Sequence, residues 1–142
     1  MTTKWTMTID CADPALVARF WCTALGYVEA DPPKGWDTWD AFLTEMNVPE
    51  DEWNDGASLS DLAGVLPSIS FLKVPEPRTV KNRLHLDLNP DPGNRDAEIE
   101  RVLALGARRV NIGQTGAESW TVLADPEGNE FCVLRPKKTL IG

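Results

Sequence analysis

The side chains best suited to chemistry fall in two short stretches, residues 83–87 and 130–132. His85 is the only histidine of the chain, and an imidazole exchanges its proton near neutral pH. Leu84, Leu86 and Leu88 alternate with His85, Asp87 and Asn89. That two-residue period marks a strand with one apolar and one polar face. His85, Asp87 and Arg83 therefore share a face. A carboxylate beside an imidazole is the ordinary arrangement for general acid and base work, and Asp87 and Glu130 are the candidate partners of His85. Glu130 and Cys132 share a strand face by the same parity. Arg83 either reaches an anionic group of a ligand or is a surface charge at the start of the strand. Cys132 with His85 is the one nucleophile–histidine pair that register permits, and a buried inert thiol accounts for Cys132 without that role.

A second candidate group is aromatic. Three of the six tryptophans, Trp36, Trp39 and Trp53, lie in residues 32–56. Trp39, Phe42, Leu43 and Met46 follow helical spacing, with Asp37 or Thr38 as cap and Gly35 and Gly56 as hinges. Two readings stand side by side: a helical flap whose aromatics complete a core, and a lid over a ligand pocket.

The elements that must position these groups repeat. Residues 6–27, TMTIDCADPALVARFWCTALGY, and residues 85–107, HLDLNPDPGNRDAEIERVLALGA, each run strand, Asp-Pro turn, amphipathic helix, Leu-Gly. In the first copy Met7, Ile9 and Cys11 alternate with Thr6, Thr8 and Asp10. Leu16, Val17, Phe20, Trp21, Ala24 and Leu25 then form one helical stripe, with Asp13 as N-cap, Pro14 in the first turn and Gly26 past the end. In the second copy the stripe is Ile99, Val102, Leu103 and Leu105, ended by Gly106. Further strands are expected at 57–60 and 68–74 around a turn at 61–64, and at 107–112, 119–124 and 130–135. Asp125-Pro126-Glu127-Gly128-Asn129 reads as a hairpin turn. Each copy is thus a βαβββ module, and the fold class is α+β. The expectation is a single domain, 1–142: module one is about 1–78 with a helical insertion at 32–56, and module two is about 79–142. Polar strand faces carrying Thr6, Thr8, His85 and Asp87 either meet water or line a wet cavity.

The bulk properties narrow the partners. The net charge is −8 in 142 residues, which repels phosphate backbones and anionic lipid, so neither nucleic acid nor membrane is an expected partner. No apolar run is long enough for a membrane span, and the first ten residues lack an export pattern. The three cysteines, Cys11, Cys22 and Cys132, form no CxxC and no framework of pairs, which points to free thiols and a cytoplasmic location. Glycine-rich phosphate loops and a GxSxG elbow do not occur in the sequence, so nucleotide cofactors and serine hydrolysis lack support.

With the repeat established, the chain resembles the vicinal oxygen chelate (glyoxalase/bleomycin resistance/dioxygenase) superfamily, and in particular its glyoxalase-like domain. The segments that carry the likeness are Asp13-Pro14-Ala15-Leu16, Arg19-Phe20-Trp21, Ala24-Leu25-Gly26-Tyr27, Pro75-Glu76-Pro77, residues 81–87, Trp120 and residues 125–134. The resemblance implies two βαβββ modules whose curved mixed sheet encloses a cleft, with helices outside and a small-molecule ligand between the modules. It implies a homodimer, since pairing covers open sheet edges. It also implies four metal positions, two on the first strands and two near the ends of the last strands. His85 matches one. Thr6 stands at its counterpart in module one. Cys132 stands where the family has a carboxylate, with Glu130 one step away on the same face, and the remaining region offers only Ser68 or Ser70. The expectation is a small-molecule binding protein without a complete metal site and without another cofactor, using Arg83, Trp120, Trp36, Trp39, Trp53, Thr6 and Thr8 on the ligand. The rival is a divalent-metal-dependent lyase or isomerase using His85 and Glu130.

Overall fold

A computed structural model describes residues 1–111 and 120–134. The chain divides into two compact units, Met1–Pro77 and Arg78–Gly142, each α+β with one four-stranded mixed sheet.

In the first unit β1 (Met7–Cys11) leads to α1 (Pro14–Leu25), β2 (Val28–Glu29), α2 (Trp39–Glu45), a 3₁₀ helix (Glu50–Asp55), β3 (Gly56–Ser60) and β4 (Ile69–Lys73). The sheet order is β1-β4-β3-β2. The β1–β4 pair is parallel, and the other pairs are antiparallel. The expected strand alternation holds in β1: Met7, Ile9 and Cys11 are the more buried set, and Thr8 and Asp10 are exposed. The start of α1 is fixed by Asp13, whose carboxylate accepts the Leu16 N–H at 3.3 Å. Its end is fixed by Gly26 at φ 71°, a left-handed conformation in which Tyr27 N–H returns to the Cys22 carbonyl at 2.9 Å. Val17, Phe20, Trp21 and Ala24 are buried as the stripe requires, together with Ala18. Leu16 departs from the stripe and is 38% exposed. It sits one residue, about 100° of helical turn, from Val17 at the centre of the buried face.

The insertion folds as α2 and the 3₁₀ helix. Thr38, not Asp37, caps α2, its hydroxyl accepting the Ala41 N–H at 3.1 Å. The helix stops at Glu45, one residue before Met46, which is exposed. Gly35 has φ 106°, a conformation that favours glycine, whereas Gly56 is ordinary extended backbone at the start of β3. The Asp61 turn forms as expected, the carboxylate accepting N–H groups of Ala63, Val65 and Leu66. Leu62, Val65 and Leu66 are left exposed.

In the second unit β5 (Asp87–Leu88), α3 (Arg95–Ala104), β6 (Arg108–Arg109), β7 (Trp120–Ala124) and β8 (Glu130–Leu134) repeat the plan. The order is β5-β8-β7-β6, with β5 parallel to β8. The strand expected from Leu84 is shorter than its alternation suggested, and Leu84 is 86% exposed. The register gives the reason. Asp87 lies opposite Cys132, so Leu84 would lie opposite Asn129, which belongs to the hairpin turn and not to β8. One further bond, Cys132 N–H to the Leu86 carbonyl at 2.9 Å, closes the pairing. Ile99 and Val102 of α3 are buried, and Leu103 and Leu105 are half-buried. The turn is built on Asp125, which is wholly buried and whose carboxylate accepts from Glu127 N–H, Asn129 N–H and the Asn129 amide. Gly128 completes it at φ 91°. Of the expected strands 107–112, 119–124 and 130–135, residues 112, 119 and 135 lie outside the described residues.

Candidate functional site

The first unit contains an open groove of about 1040 Å³. The sheet contributes from both faces: Thr8, Ser70, Leu72, Gly56 and Ser58 from the face that carries the hydroxyls, and Phe71, Ala57 and Leu59 from the face that packs on α1. One wall is α1, through Ala15, Ala18, Arg19 and Cys22. The other is the insertion, through Trp39, Asp40 and Leu43 of α2 and residues 52–55 of the 3₁₀ helix. Strand pairing places Thr8, Ser70 and Ser58 side by side across three strands. The Ser58 and Ser70 hydroxyls are 3.0 Å apart and share a hydrogen bond. They form a hydroxyl row on the sheet face away from Phe71 and Leu59.

The walls are tied together. Asn54 donates its amide N–H to Asp13 at 2.8 Å, and its amide oxygen accepts the Ala15 N–H at 2.9 Å. The 3₁₀ helix is thereby pinned to the first turn of α1. The Asn54 bond, followed by the Leu16 backbone bond, holds the Asp13 carboxyl below its usual range. The indole N–H groups are also satisfied locally. Trp39 donates to the Ala30 carbonyl at 2.7 Å, Trp53 to the Val48 carbonyl at 3.0 Å, and Trp36 to Glu45 at 2.8 Å. Trp36 and Trp39 both meet Phe42 edge-on. Trp39 and Trp53 line the groove, while Trp36 and Thr6 are not among its lining residues.

The second unit brings together a different set. His85 Nδ1 is 3.0 Å from Asp87 Oδ1 and 3.9 Å from Cys132 Sγ, and the three donor atoms lie within 4.8 Å of one another. Burial, then the charge and hydrogen bond of Asp87, push the Cys132 thiol up to about 11. It stays protonated at neutral pH and is a poor nucleophile there. Glu130 shares the strand face of Cys132, as its parity predicts, but its carboxylate is engaged elsewhere. It is 5% exposed, forms an ion pair with Arg78 and accepts the Asn82 N–H. Arg83 and Trp120 are exposed, Trp120 at the start of β7. The reading of residue types overlooked Arg78. The signal for it was an acidic residue opening the apolar strand Glu-Phe-Cys-Val-Leu, since a buried carboxylate calls for a cation. It also overlooked Arg19, Ser58 and Asn54 in the groove, which no spacing marks.

Residues 6–134 match the glyoxalase-like domain family. The chain belongs to this family. Its fold is that of solved vicinal oxygen chelate proteins. A possible glyoxalase from Bacillus cereus is 13% identical, with TM-score 0.61, covering 94% of this chain and 99% of its own. A glyoxalase/bleomycin resistance protein/dioxygenase family enzyme from Burkholderia phytofirmans PsJN is 18% identical, with TM-score 0.61 over 94% and 98%. The fosfomycin resistance protein FosX from Listeria monocytogenes, complexed with Mn(II) and a dihydroxypropylphosphonic acid, is 12% identical, with TM-score 0.63 over 97% and 94%. No curated protein matches the chain in sequence. At these identities the likeness establishes the fold alone.

Imidazole and carboxylate donors suit a divalent ion such as the Mn(II) of the FosX complex. Among its described residues this glyoxalase-like domain offers one imidazole, one carboxylate and one thiol together in its second unit, and the nearby acid, Glu130, is committed to Arg78. A set with a thiol suits a softer ion better than a hard, oxygen-preferring one.

Proposed function

We propose that the chain acts as one glyoxalase-like domain, residues 1–142, that binds a small, partly apolar organic molecule without a complete metal site. The groove of the first unit carries this reading. Its volume suits a ligand of drug size, and its lining includes the apolar Trp39, Leu43 and Trp53 and the hydroxyl residues Thr8, Ser58 and Ser70. Because the Trp39 and Trp53 indole N–H groups are already bonded to backbone, these rings offer apolar surface and the hydroxyl row offers direction. The protein is proposed to be cytoplasmic, in keeping with its free thiols, and homodimeric, which sedimentation at micromolar concentration would test.

Titrating small aromatic metabolites while following tryptophan emission tests the reading. A saturable change is expected, and Trp39→Ala should weaken binding about tenfold, more than it lowers stability. Unchanged affinity with a loss of ~3–5 kcal/mol would make Trp39 plain core. A second reading rests on the His85, Asp87 and Cys132 donor atoms: a metal-dependent lyase or isomerase using His85, with Glu130 released from Arg78. A stoichiometric transition metal in protein purified without chelator, lost in His85→Ala, would favour that enzyme over the metal-free binder.

A further inference from the structure

The groove of the first unit has a charge pattern that its shape does not require. Among the described residues four that line it are acidic, Glu29, Asp40, Glu52 and Asp55, and one is basic, Arg19. All four acids are exposed, and among the described residues none is in an ion pair. They come from three separate elements, β2, α2 and the 3₁₀ helix, and are not one solvated run of charge. Two of them flank aromatic lining residues directly in sequence: Asp40 follows Trp39, and Glu52 precedes Trp53.

We propose that this groove selects flat organic cations over neutral or anionic molecules of the same shape. The proposal rests on the groove being the ligand site and adds the chemical class of the ligand. A positive charge held near indole faces gains from the ring quadrupole. Several carboxylates of one sign along a concavity give it a negative potential, screened by solvent at exposed positions, that attracts cations and repels anions. The Ser58–Ser70 hydroxyl pair can accept from an N–H of such a ligand, because each hydroxyl retains a free lone pair beyond the shared bond. The overall charge of −8 reinforces the sign at long range.

Three planar tricyclic probes of similar size separate charge from shape: proflavine (cation), acridone (neutral) and anthraquinone sulfonate (anion). Each is titrated into the full chain by calorimetry, with tryptophan emission as a second signal. Proflavine is expected to bind with one-to-one stoichiometry about tenfold more tightly than acridone, and the sulfonate more weakly than either. The margin between proflavine and acridone should shrink as salt rises from low to physiological strength. In the variant combining Glu29→Gln, Asp40→Asn, Glu52→Gln and Asp55→Asn the ratio of proflavine to acridone affinity should fall to about one, whatever the absolute affinity of acridone. These side chains are exposed, so their isosteric amides leave the packing intact, and acridone binding reports that the groove survives. Equal binding of acridone and proflavine would overturn the cation preference and leave the groove reading standing. A preference that persists in the four-site variant would also overturn it, since the charge would then act elsewhere. No binding of any probe would overturn both.

Discussion

The two units share a sheet plan and differ in what each sheet carries. In both, the first strand pairs in parallel with the last, and the order from there is last, third, second. In the first unit the centre of the polar face is Thr8, Ser70 and Ser58, none of them buried. The corresponding ladder of the second unit is Asp87, Cys132 and Val122, and β8 is buried on both faces from Glu130 to Val133. One sheet is therefore open on the face that lines a groove. The other is closed around a carboxylate that is buried because Arg78 neutralises it. A common backbone template fixes where side chains stand, and residue type alone decides whether a position becomes wet floor or packed interior.

The sharpest test of that contrast is the core each sheet shares with its helix. Phe71→Ala in β4 and Phe131→Ala in β8 should each cost ~3–5 kcal/mol, read from urea unfolding midpoints, because both rings are fully buried. A cost under about 1 kcal/mol at either site would mean that its unit lacks the packed core described.

The next effect is chemical. With its thiol raised from an ordinary 9.0 to about 11, Cys132 in the folded protein should be alkylated at pH 8 about a hundredfold more slowly than an unperturbed thiol. The sign for stability follows: the folded state holds a proton that the unfolded chain releases. This contribution is complete below pH 9 and is lost as pH rises towards 11. Rapid alkylation of Cys132 without denaturant would break the picture of a closed second sheet.

A smaller effect is expected from Arg78→Met, which strands the Glu130 carboxylate at 5% exposure. The cost should be about 2 kcal/mol, reduced from a fully buried pair because Arg78 is itself part-exposed. Adding Glu130→Gln should restore most of it in the same unfolding assay; no recovery would mean that the ion pair is not what stabilises the strand. The smallest change belongs to the open sheet. Ser70→Ala removes the hydroxyl bond to Ser58 and should cost about 0.5–1 kcal/mol, since water can replace the partner there. A loss above about 2 kcal/mol would show the row to be structural and desolvated.

The fold was legible because its signals are local. Asp13, Pro14 and Gly26 fix the ends of α1, and Asp125 fixes a turn, whatever surrounds them. The helix stripes and the period of β1 were readable for the same reason. What failed to show were features set by pairing partners far along the chain. Leu84 alternates like a strand residue, yet no strand stands opposite it. Leu16 is apolar, yet sits off the buried arc. Glu130 read as a partner of His85, but Arg78, 52 residues earlier, holds its carboxylate. The groove was half legible: the aromatics of the insertion were visible as a periodicity, while Ser58, Arg19 and Asn54 enter it only through strand register and a turn of helix.

The parallel pairing of the outer strands has a consequence for the order in which the chain acquires structure. The β7–β8 hairpin closes over a five-residue turn already organised by Asp125, a step that costs little chain entropy. The β1–β4 pair joins residues such as Met7 and Ile69, and β5–β8 joins Asp87 to Cys132, so each must close a long loop before any bond repays it. Thr8, His85 and Asp87 ride on or beside these late-arriving outer strands. Thr8, His85 and Asp87 therefore stand at the parts of each sheet that open most readily, whereas Ser58, Ser70 and Cys132 sit on inner strands, and amide exchange should be faster in β1 and β5 than in β8.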